Sequence, residues 1–467
     1  MSNSYICFSE DNSSVILSHP EHIPGGILPA IPSKSHAHRL LIAAALSDAP
    51  VFLNCPVTSA DIDATAACLN AMGADIKRTE TGFMVTPVPD GYPGEASACV
   101  LHAGESGSTL RFLLPLLGAL GLSAGIHMEG RLPERPLHPL DEEMRRHGIS
   151  FSGIGSTPLS VSGRLTPGEY SINGGISSQF ITGLLFSLPL LQDDSVLSVT
   201  GKLESRPYVD ITLKVLREFD IVINEEPHAD FSSADQVSTV FRIPGRQHFH
   251  AGAPEYRVEG DWSNAAFFLA AGALLSDPVT VTGCSTDSKQ GDSSILNLLE
   301  AFGATVICTP SAALPQGTSG TLYDISVRGG KLHGTDIDAS QIPDLVPILA
   351  AVAAYADGVT TIRNIERLRI KESDRVATVI EMIRSIGGSI EELKETDKKE
   401  DADASSYLRI NGFTSLPGGT VSSHNDHRIA MAAAIASLRA EAPVKILDPM
   451  AVRKSYPGFY DDLKKLL

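Results

Sequence analysis

Six times along this chain a short polar cluster runs directly into an alanine- and leucine-rich stretch. The clusters are Ser33-Lys34-Ser35, Gly104-Glu105-Ser106-Gly107, Ser177-Ser178-Gln179, Asp261-Trp262-Ser263, Gln341-Ile342-Pro343-Asp344 and Asn425-Asp426-His427-Arg428. Lys34, Ser106 and Ser178 lie 72 residues apart in both steps, and Asp261, Gln341 and Asn425 follow at spacings of 80 and 84. A fixed pitch marks a repeated supersecondary unit, which constrains a fold more than any isolated motif does. Each cluster has the form of a helix start, with small polar caps ahead of apolar residues at helical spacing. Helix starts expose free N–H groups and the positive end of the dipole, so six of them facing inward would form an anion trap.

A second helix recurs out of phase with the first and ends in a turn before a strand. Its turn residues fall at Gly73, Gly148, Asp220, Gly303 and Gly387, and four of the five are glycine, as a left-handed helix C-cap demands. A sixth copy falls at Tyr460 to Leu467. Short β-rich runs such as Val279 to Thr282 and Thr360 to Arg363 lie between the helices. Each unit is therefore expected to hold two helices and a few strands. Three units of short pitch and three of long pitch predict two domains of three units each, within the α/β (α+β) class. The pitch changes near His250 to Glu259, and the segment before Ser33, rich in Pro24, Gly25, Gly26, Pro29 and Pro32, reads as a crossing point. The extra length of the later units sits in Glu391 to Ser406 and Pro310 to Gly320, both read as solvated surface loops.

Bulk composition narrows the function classes. A length of 467 residues suits two domains, and a net charge of −18 argues against nucleic acid and anionic membrane surfaces as partners. An anionic metabolite remains possible, but only through a local basic pocket. Cys7, Cys55, Cys68, Cys99, Cys284 and Cys308 show neither zinc nor disulfide spacing and read as buried thiols in a reducing compartment. The first residues lack a basic region followed by an apolar core, and no apolar run reaches the ~18 residues of a membrane helix. A cytoplasmic setting is expected.

Basic residues gather beside the helix-start clusters: Lys34 with Arg39, Arg111, Arg131 with Arg135, Arg367 to Arg375, Arg428 and Lys454. Arginine supplies bidentate grip on phosphate or carboxylate, and lysine adds a point charge that can release a proton. Within Lys371-Glu372-Ser373-Asp374-Arg375, expected to open a helix after a strand, Lys371 and Arg375 are predicted to share a face and Glu372 to reach Arg375. Two readings stay open: an exposed helical ion pair worth tenths of a kcal/mol, or an acid/base carboxylate held among cations. Gly104 to Ser108 is neither a phosphate-binding P-loop, lacking Gly-Lys-Ser/Thr, nor a nucleophile elbow, which needs Gly at 108. The pairs His36/His38 and His248/His250 have poor spacing for metal ligation on a helix, so no metal is expected.

Ten motifs in fixed order complete the picture. They are Ser33-Lys34-Ser35 with Arg39; Gly104, Gly107, Ser108 and Arg111; Arg131 with Arg135-Pro136; Ile176 to Phe180; Ser205-Arg206-Pro207-Tyr208 with Asp210; Glu259-Gly260-Asp261; Ile342-Pro343-Asp344; Lys371 to Arg375; Asp426-His427-Arg428; and Lys454 to Pro457. From about Pro32 to Leu467 the chain resembles the 5-enolpyruvylshikimate-3-phosphate synthase family. The resemblance implies two domains, each of three βαβαββ repeats around a pseudo-threefold axis, the enolpyruvyl transferase-like inside-out barrel. It places 33–257 in the domain carrying the shikimate 3-phosphate subsite. Residues 1–32 plus 258–467 form the second domain, with acid/base groups and much of the phosphoenolpyruvate clamp, and the two domains close on substrate.

The implied reaction adds the 5-hydroxyl of shikimate 3-phosphate to phosphoenolpyruvate, passes through a tetrahedral intermediate and releases phosphate. By motif match, Lys34, Ser35, Arg39, Ser177, Ser178, Gln179, Ser205, Tyr208, Asp344, Arg367 and Lys371 would bind shikimate 3-phosphate. Lys34, Gly107, Arg135, Gln179, Arg375, Arg428 and Lys454 would bind phosphoenolpyruvate. Asp344 is the expected base, Glu372 and Lys454 the candidates for proton transfer at the methylene, and Lys34 the aid to the departing phosphate. No organic cofactor is implied, a monomer is expected, and Gly107 is expected to leave room for glyphosate. The chain departs from many members at Glu105-Ser106, where Asn-Ala is common, with Arg111 or Arg135 as expected partners for Glu105. It departs again at Arg367, where one branch has Asn. The competing readings are UDP-N-acetylglucosamine enolpyruvyl transferase and a non-catalytic phosphometabolite-binding protein. The first usually has Lys-Asn at Lys34-Ser35 and a reactive Cys in the region of Gly130 to Arg135, where this chain has none.

Overall fold

The structure, a computed structural model, describes residues 5–89, 98–227, 237–311, 321–394 and 405–467. The chain divides into two compact units, Lys34–Val258 and Met1–Ser33 with Glu259–Leu467. Among the described residues twelve α-helices run α1 (Lys34–Ala45), α2 (Ala60–Ala71), α3 (Gly107–Leu120), α4 (Leu140–Arg146), α5 (Ser178–Ser187), α6 (Arg206–Glu218), α7 (Trp262–Leu274), α8 (Ile295–Ala301), α9 (Val346–Ala353), α10 (Arg375–Ser385), α11 (His427–Ala436) and α12 (Phe459–Lys464). The odd-numbered helices follow the six polar clusters and the even-numbered ones are the second helix of each repeat.

The two helix types differ as their sequences do. The whole of α9 and α11, and all of α7 except Ser263, is buried. A helix that is apolar all round belongs inside a core, and each of its large side chains contributes roughly 1.5–3 kcal/mol when fully buried. These three helices pack pairwise on one another, the arrangement a threefold axis produces. The second helices bury one face only. In α6 that face is Val209, Ile211, Thr212, Val215 and Leu216. All five expected turn residues after the second helices have positive φ, from 60° at Asp220 to 106° at Gly73.

Among the described residues six four-stranded sheets complete the repeats, three in each unit. In one of them Cys99–Gly104 pairs parallel with Ala124–Met128, which pairs antiparallel with Leu159–Gly163 and through it with Ile149–Ser152. The order is that of a βαβαββ unit whose closing hairpin folds back on the parallel pair. Burial alternates along many strands, as in Ser195–Thr200, so each sheet lays one face on the helices. Three sheets borrow strands from a distance. Glu255–Arg257 supplies the parallel partner of Val51–Asn54. Gly26–Pro29 supplies that of Val279–Ser285. The hairpin Ile6–Phe8 and Ser14–Leu17 completes the sheet of Gly419–Ser422 and Val444–Leu447.

Local expectations are corrected at four places. The Gln341 cluster starts with a single 3₁₀ turn, Pro343–Leu345, because proline fixes a turn ahead of α9, so no side chain caps it. Lys371 and Glu372 lie ahead of α10, whose N-cap is Asp374, so they share no helical face with Arg375. Glu391 to Lys394, read as loop, belongs to the strand Ser389–Lys394, where Glu391 pairs with Arg409 across the sheet at 3.0 Å. Most of the two expected loops, 395–404 and 312–320, lies outside the described residues. Cys7 and Cys308 are exposed and Cys99 is half-buried rather than buried, because all three sit on strands at the edges of their sheets.

Candidate active site

In the unit Lys34–Val258, the functional side chains stand at the starts of α1, α3, α5 and α6. Lys34 opens α1 and its Nζ lies 2.9 Å from Asp61 of α2. One turn on, Arg39 is 2 % exposed and spends its guanidinium inside the protein. It donates to Thr212 Oγ1 at 2.8 Å, Ser35 O at 2.7 Å, Thr182 Oγ1 at 3.2 Å and Tyr208 O at 2.9 Å. Burial pulls its pKa down to about 9, which leaves it charged at neutral pH. Arg39 thus ties Ser35 and Tyr208 to α5 and α6.

The start of α3 is built to receive an anion. Ser106 caps it, accepting from Thr109 N at 3.2 Å, and Leu110 N bonds Ser106 O. The N–H groups of Gly107 and Ser108 meet no acceptor among the described residues. Two guanidinium groups face Gly107. A Cβ placed there would lie 2.7 Å from Arg135 Nη1 and 3.2 Å from Arg111 Nη1. Arg111 also donates to Gln179 Oε1 at 2.7 Å and Pro136 O at 3.1 Å, and Gln179 Nε2 donates to Ser108 Oγ at 3.0 Å. This register depends on a close helix crossing. Pro115 has no N–H for the carbonyl of Arg111, and Gly183 of α5 packs over that carbonyl, where a Cβ would come within 2.5 Å. Gln179 lies one turn ahead of Gly183. Glu105 lays its carboxylate against Gly130, whose φ is +53°. Ser177 caps α5 and Ser178 is its first residue, while buried Ser205 precedes α6 at φ +53° without a side-chain cap.

In the other unit, carboxylates and cations interlock. Arg375, the first residue of α10 and 1 % exposed, donates to Asp426 Oδ2 at 2.8 Å, Asp344 Oδ1 at 2.6 Å and Glu372 Oε2 at 2.6 Å. Asp344 also meets Lys371 at 3.2 Å and Arg428 Nη2 at 3.4 Å. Burial alone would lower the pKa of Arg375, but Asp426, Glu372 and Asp344 hold it well above its usual value. Burial lowers that of Lys371, opposed by Asp344 and reinforced by Arg375 and Arg367. Asp426 caps α11 through Arg428 N at 2.9 Å. Burial would raise its carboxyl, yet Arg375 keeps it below the ordinary range. Asn425, in the left-handed conformation, turns its carbonyl to Lys454 Nζ at 2.6 Å. Behind the cluster, burial and the charge of Asp344 push Asp292 up to about 6.

The expected residues therefore form two groups. Lys34, Ser35, Arg39, Gly107, Arg135, Ser177, Ser178, Gln179, Ser205 and Tyr208 stand in one unit, and Asp344, Arg367, Lys371, Glu372, Arg375, Arg428 and Lys454 in the other. Arg111, expected beside Glu105, also holds Gln179, and Asp426, read within a helix-start cluster, also holds Arg375. Asp61, which pairs with Lys34, was given no role by motif and carried no signal in the sequence.

A profile described as EPSP synthase (3-phosphoshikimate 1-carboxyvinyltransferase) matches residues 19–463. The chain belongs to the EPSP synthase family. A 3-phosphoshikimate 1-carboxyvinyltransferase of Clostridium perfringens is 39% identical over 436 residues, covering 93% of this chain and 94% of that protein. One of Clostridioides difficile is 37% identical over 446 residues, with 93% of each covered. Among solved structures, an EPSP synthase from Acinetobacter baumannii superposes with a TM-score of 0.74 at 22% identity, covering 96% of this chain and 97% of its own. The enolpyruvyl transferase NikO from Streptomyces tendae gives 0.69 at 19%, with 97% of each covered. These two likenesses carry the fold, and the βαβαββ repeats of this EPSP synthase family member agree with it. No helix among the described residues is long and apolar enough to cross a membrane.

Proposed function

We propose that the chain transfers the enolpyruvyl group of phosphoenolpyruvate to the 5-hydroxyl of shikimate 3-phosphate, releasing phosphate, as a step in aromatic amino-acid biosynthesis. The observation that carries this is family membership over residues 19–463, with the reacting-group motifs intact. Both substrates bear a phosphate and a carboxylate, and fixed cations act most strongly on such charge in a water-poor site.

The roles assigned to residues rest on motif and local geometry. Ser177, Ser178, Ser205, Tyr208, Ser35 and Lys34 serve shikimate 3-phosphate. Arg39 supports Ser35 and Tyr208 from within, and Arg367 and Lys371 add charge beside Asp344. The α3 start with Arg135, helped by Lys34 and Gln179, takes the phosphate of phosphoenolpyruvate, while Arg375, Arg428 and Lys454 take its carboxylate side. A carboxylate shared by three cations is a poor proton acceptor. When the substrate carboxylate draws Arg375 and Arg428 toward itself, Asp344 regains basicity and removes the 5-hydroxyl proton. Glu372 and Lys454 then exchange the methylene proton, and Lys34 neutralises the leaving phosphate. The protein acts as a cytoplasmic monomer on these metabolites, without nucleic acid or membrane partners, and glyphosate competes at the Gly107 side.

The test is phosphate release by the purified chain given both substrates, with calorimetric titration of shikimate 3-phosphate against UDP-N-acetylglucosamine. Turnover with the first and no heat from the second is expected. Binding only of the nucleotide sugar, or binding without phosphate release, overturns the reading.

A further inference from the structure

His38 lies in α1, one turn past Lys34, with its ring 1 % exposed. Burial, then the charges of Lys34 and Arg39, drive its pKa well below the ordinary imidazole value, so the ring is neutral and carries a single N–H. Nδ1 lies 2.7 Å from Thr65 Oγ1 of α2. Nε2 is buried and meets no hydrogen-bond partner among the described residues. An orphaned buried N–H is rarer in folded proteins than an unused acceptor, which puts the proton on Nδ1 and makes His38 the donor to Thr65.

That choice sets the direction of a chain of hydroxyls. Thr65 passes its own proton to Thr109 Oγ1 at 2.6 Å. Thr109 gives its proton to Ser106 Oγ at 2.7 Å in preference to the Asp61 carbonyl at 3.4 Å. Ser106 Oγ also accepts Thr109 N, which completes the cap of α3. The chain links α1 and the middle of α2 to the start of α3, and the Lys34–Asp61 pair at 2.9 Å runs beside it.

We propose that His38 is a positioning residue for phosphoenolpyruvate. Acting through Thr65 and Thr109, it locks Ser106 as the cap of α3 and so aims the open N–H groups of Gly107 and Ser108 at the substrate phosphate. The proposal rests on the assignment of that phosphate to the Gly107 turn. It accounts for the serine at 106, a residue that can take part in the chain where alanine cannot.

The experiment is steady-state kinetics of the full chain with each substrate varied, for Thr65→Val, His38→Phe, His38→Asn and Arg135→Met. Thr65→Val keeps the shape of the side chain and deletes the middle link. Thr65→Val and His38→Phe are expected to raise the KM for phosphoenolpyruvate about five- to tenfold, the scale of one lost hydrogen bond. The KM for shikimate 3-phosphate and kcat should stay within about twofold, on the same reasoning. His38→Asn, whose amide offers an N–H near the place of Nδ1, is expected to restore the lost affinity. An unchanged KM for phosphoenolpyruvate in Thr65→Val, or both KM values rising together without rescue by Asn, overturns the proposal. Arg135→Met separates the two readings. If it raises the KM for phosphoenolpyruvate while Thr65→Val does not, the relay fails and the phosphate assignment stands. If it has no effect, the assignment fails and the relay with it.

Discussion

Replacing Gly107 with alanine should separate stability from substrate affinity. The added Cβ would sit 2.7 Å from Arg135 Nη1 and 3.1 Å from its Cζ, with Arg111 Nη1 at 3.2 Å. Ordinary contact begins at 3.4 Å, so the Arg135 guanidinium has to withdraw by ~0.7 Å. Gly107 is not among the residues with positive φ, so alanine meets no backbone strain, and helix preference favours it by up to ~1 kcal/mol. The obstacle is the far end of a flexible side chain, which the fold tolerates. A phosphate aligned on Arg135 and the Gly107 N–H does not, and losing one charge-assisted hydrogen bond costs about 1.5–3 kcal/mol. That corresponds to a rise of roughly 10- to 150-fold in the KM for phosphoenolpyruvate. The KM for shikimate 3-phosphate and the melting temperature should hold or, for the latter, rise slightly. Steady-state kinetics and a thermal melt on one preparation decide it. A phosphoenolpyruvate KM within about twofold of the parent, or a lowered melting temperature, refutes the reasoning. The glyphosate inhibition constant is expected to rise in parallel.

Three further outcomes follow from the geometry. Asp426→Asn removes a buried partner of Arg375 that Glu372 and Asp344 replace in part, so urea unfolding should show a loss of about 2–4 kcal/mol. Because the folded carboxyl is held below its unfolded value, its stabilisation is present above the unfolded pKa near ~4 and is lost as pH falls through the folded one; the variant should flatten that acid limb. Lys34→Met and Arg375→Met should each lower turnover by at least about 100-fold, since each removes a cation from reacting or leaving charge; intact phosphate release in either places the site elsewhere. Gly130→Ala puts a Cβ 2.4 Å from Glu105 Oε2 at a φ of +53°, so denaturant titration should register about 1–3 kcal/mol of destabilisation, partly relieved by Glu105→Ala.

Caps and turns were legible in the sequence because they are local. Ser106, Ser177, Asp261 and Asp426 each precede an apolar run and each caps the helix there. Asp220, the one non-glycine turn residue, still adopts the left-handed conformation that Asp tolerates. What was not legible depends on distant partners. Arg375 meets Asp426 across 51 residues, and Lys34 meets Asp61 across 27, with no periodicity to join them. The Lys371 to Arg375 stretch was read as helical too early because Asp374, its cap, sits inside the motif. Arg39 reads as a surface ligand until its four protein acceptors on α1, α5 and α6 are brought together.

The borrowed strands dictate a schedule for synthesis. Every sheet of the unit Lys34–Val258 draws its strands from that stretch alone, so its pairings are all available once Arg257 has left the ribosome. Ser14–Leu17 can pair early with Ile6–Phe8, but its other edge must wait for Val444–Leu447. The nascent chain therefore carries that hairpin with one edge unmatched until Leu447 has emerged, and the unit that includes Glu259–Leu467 locks after the other.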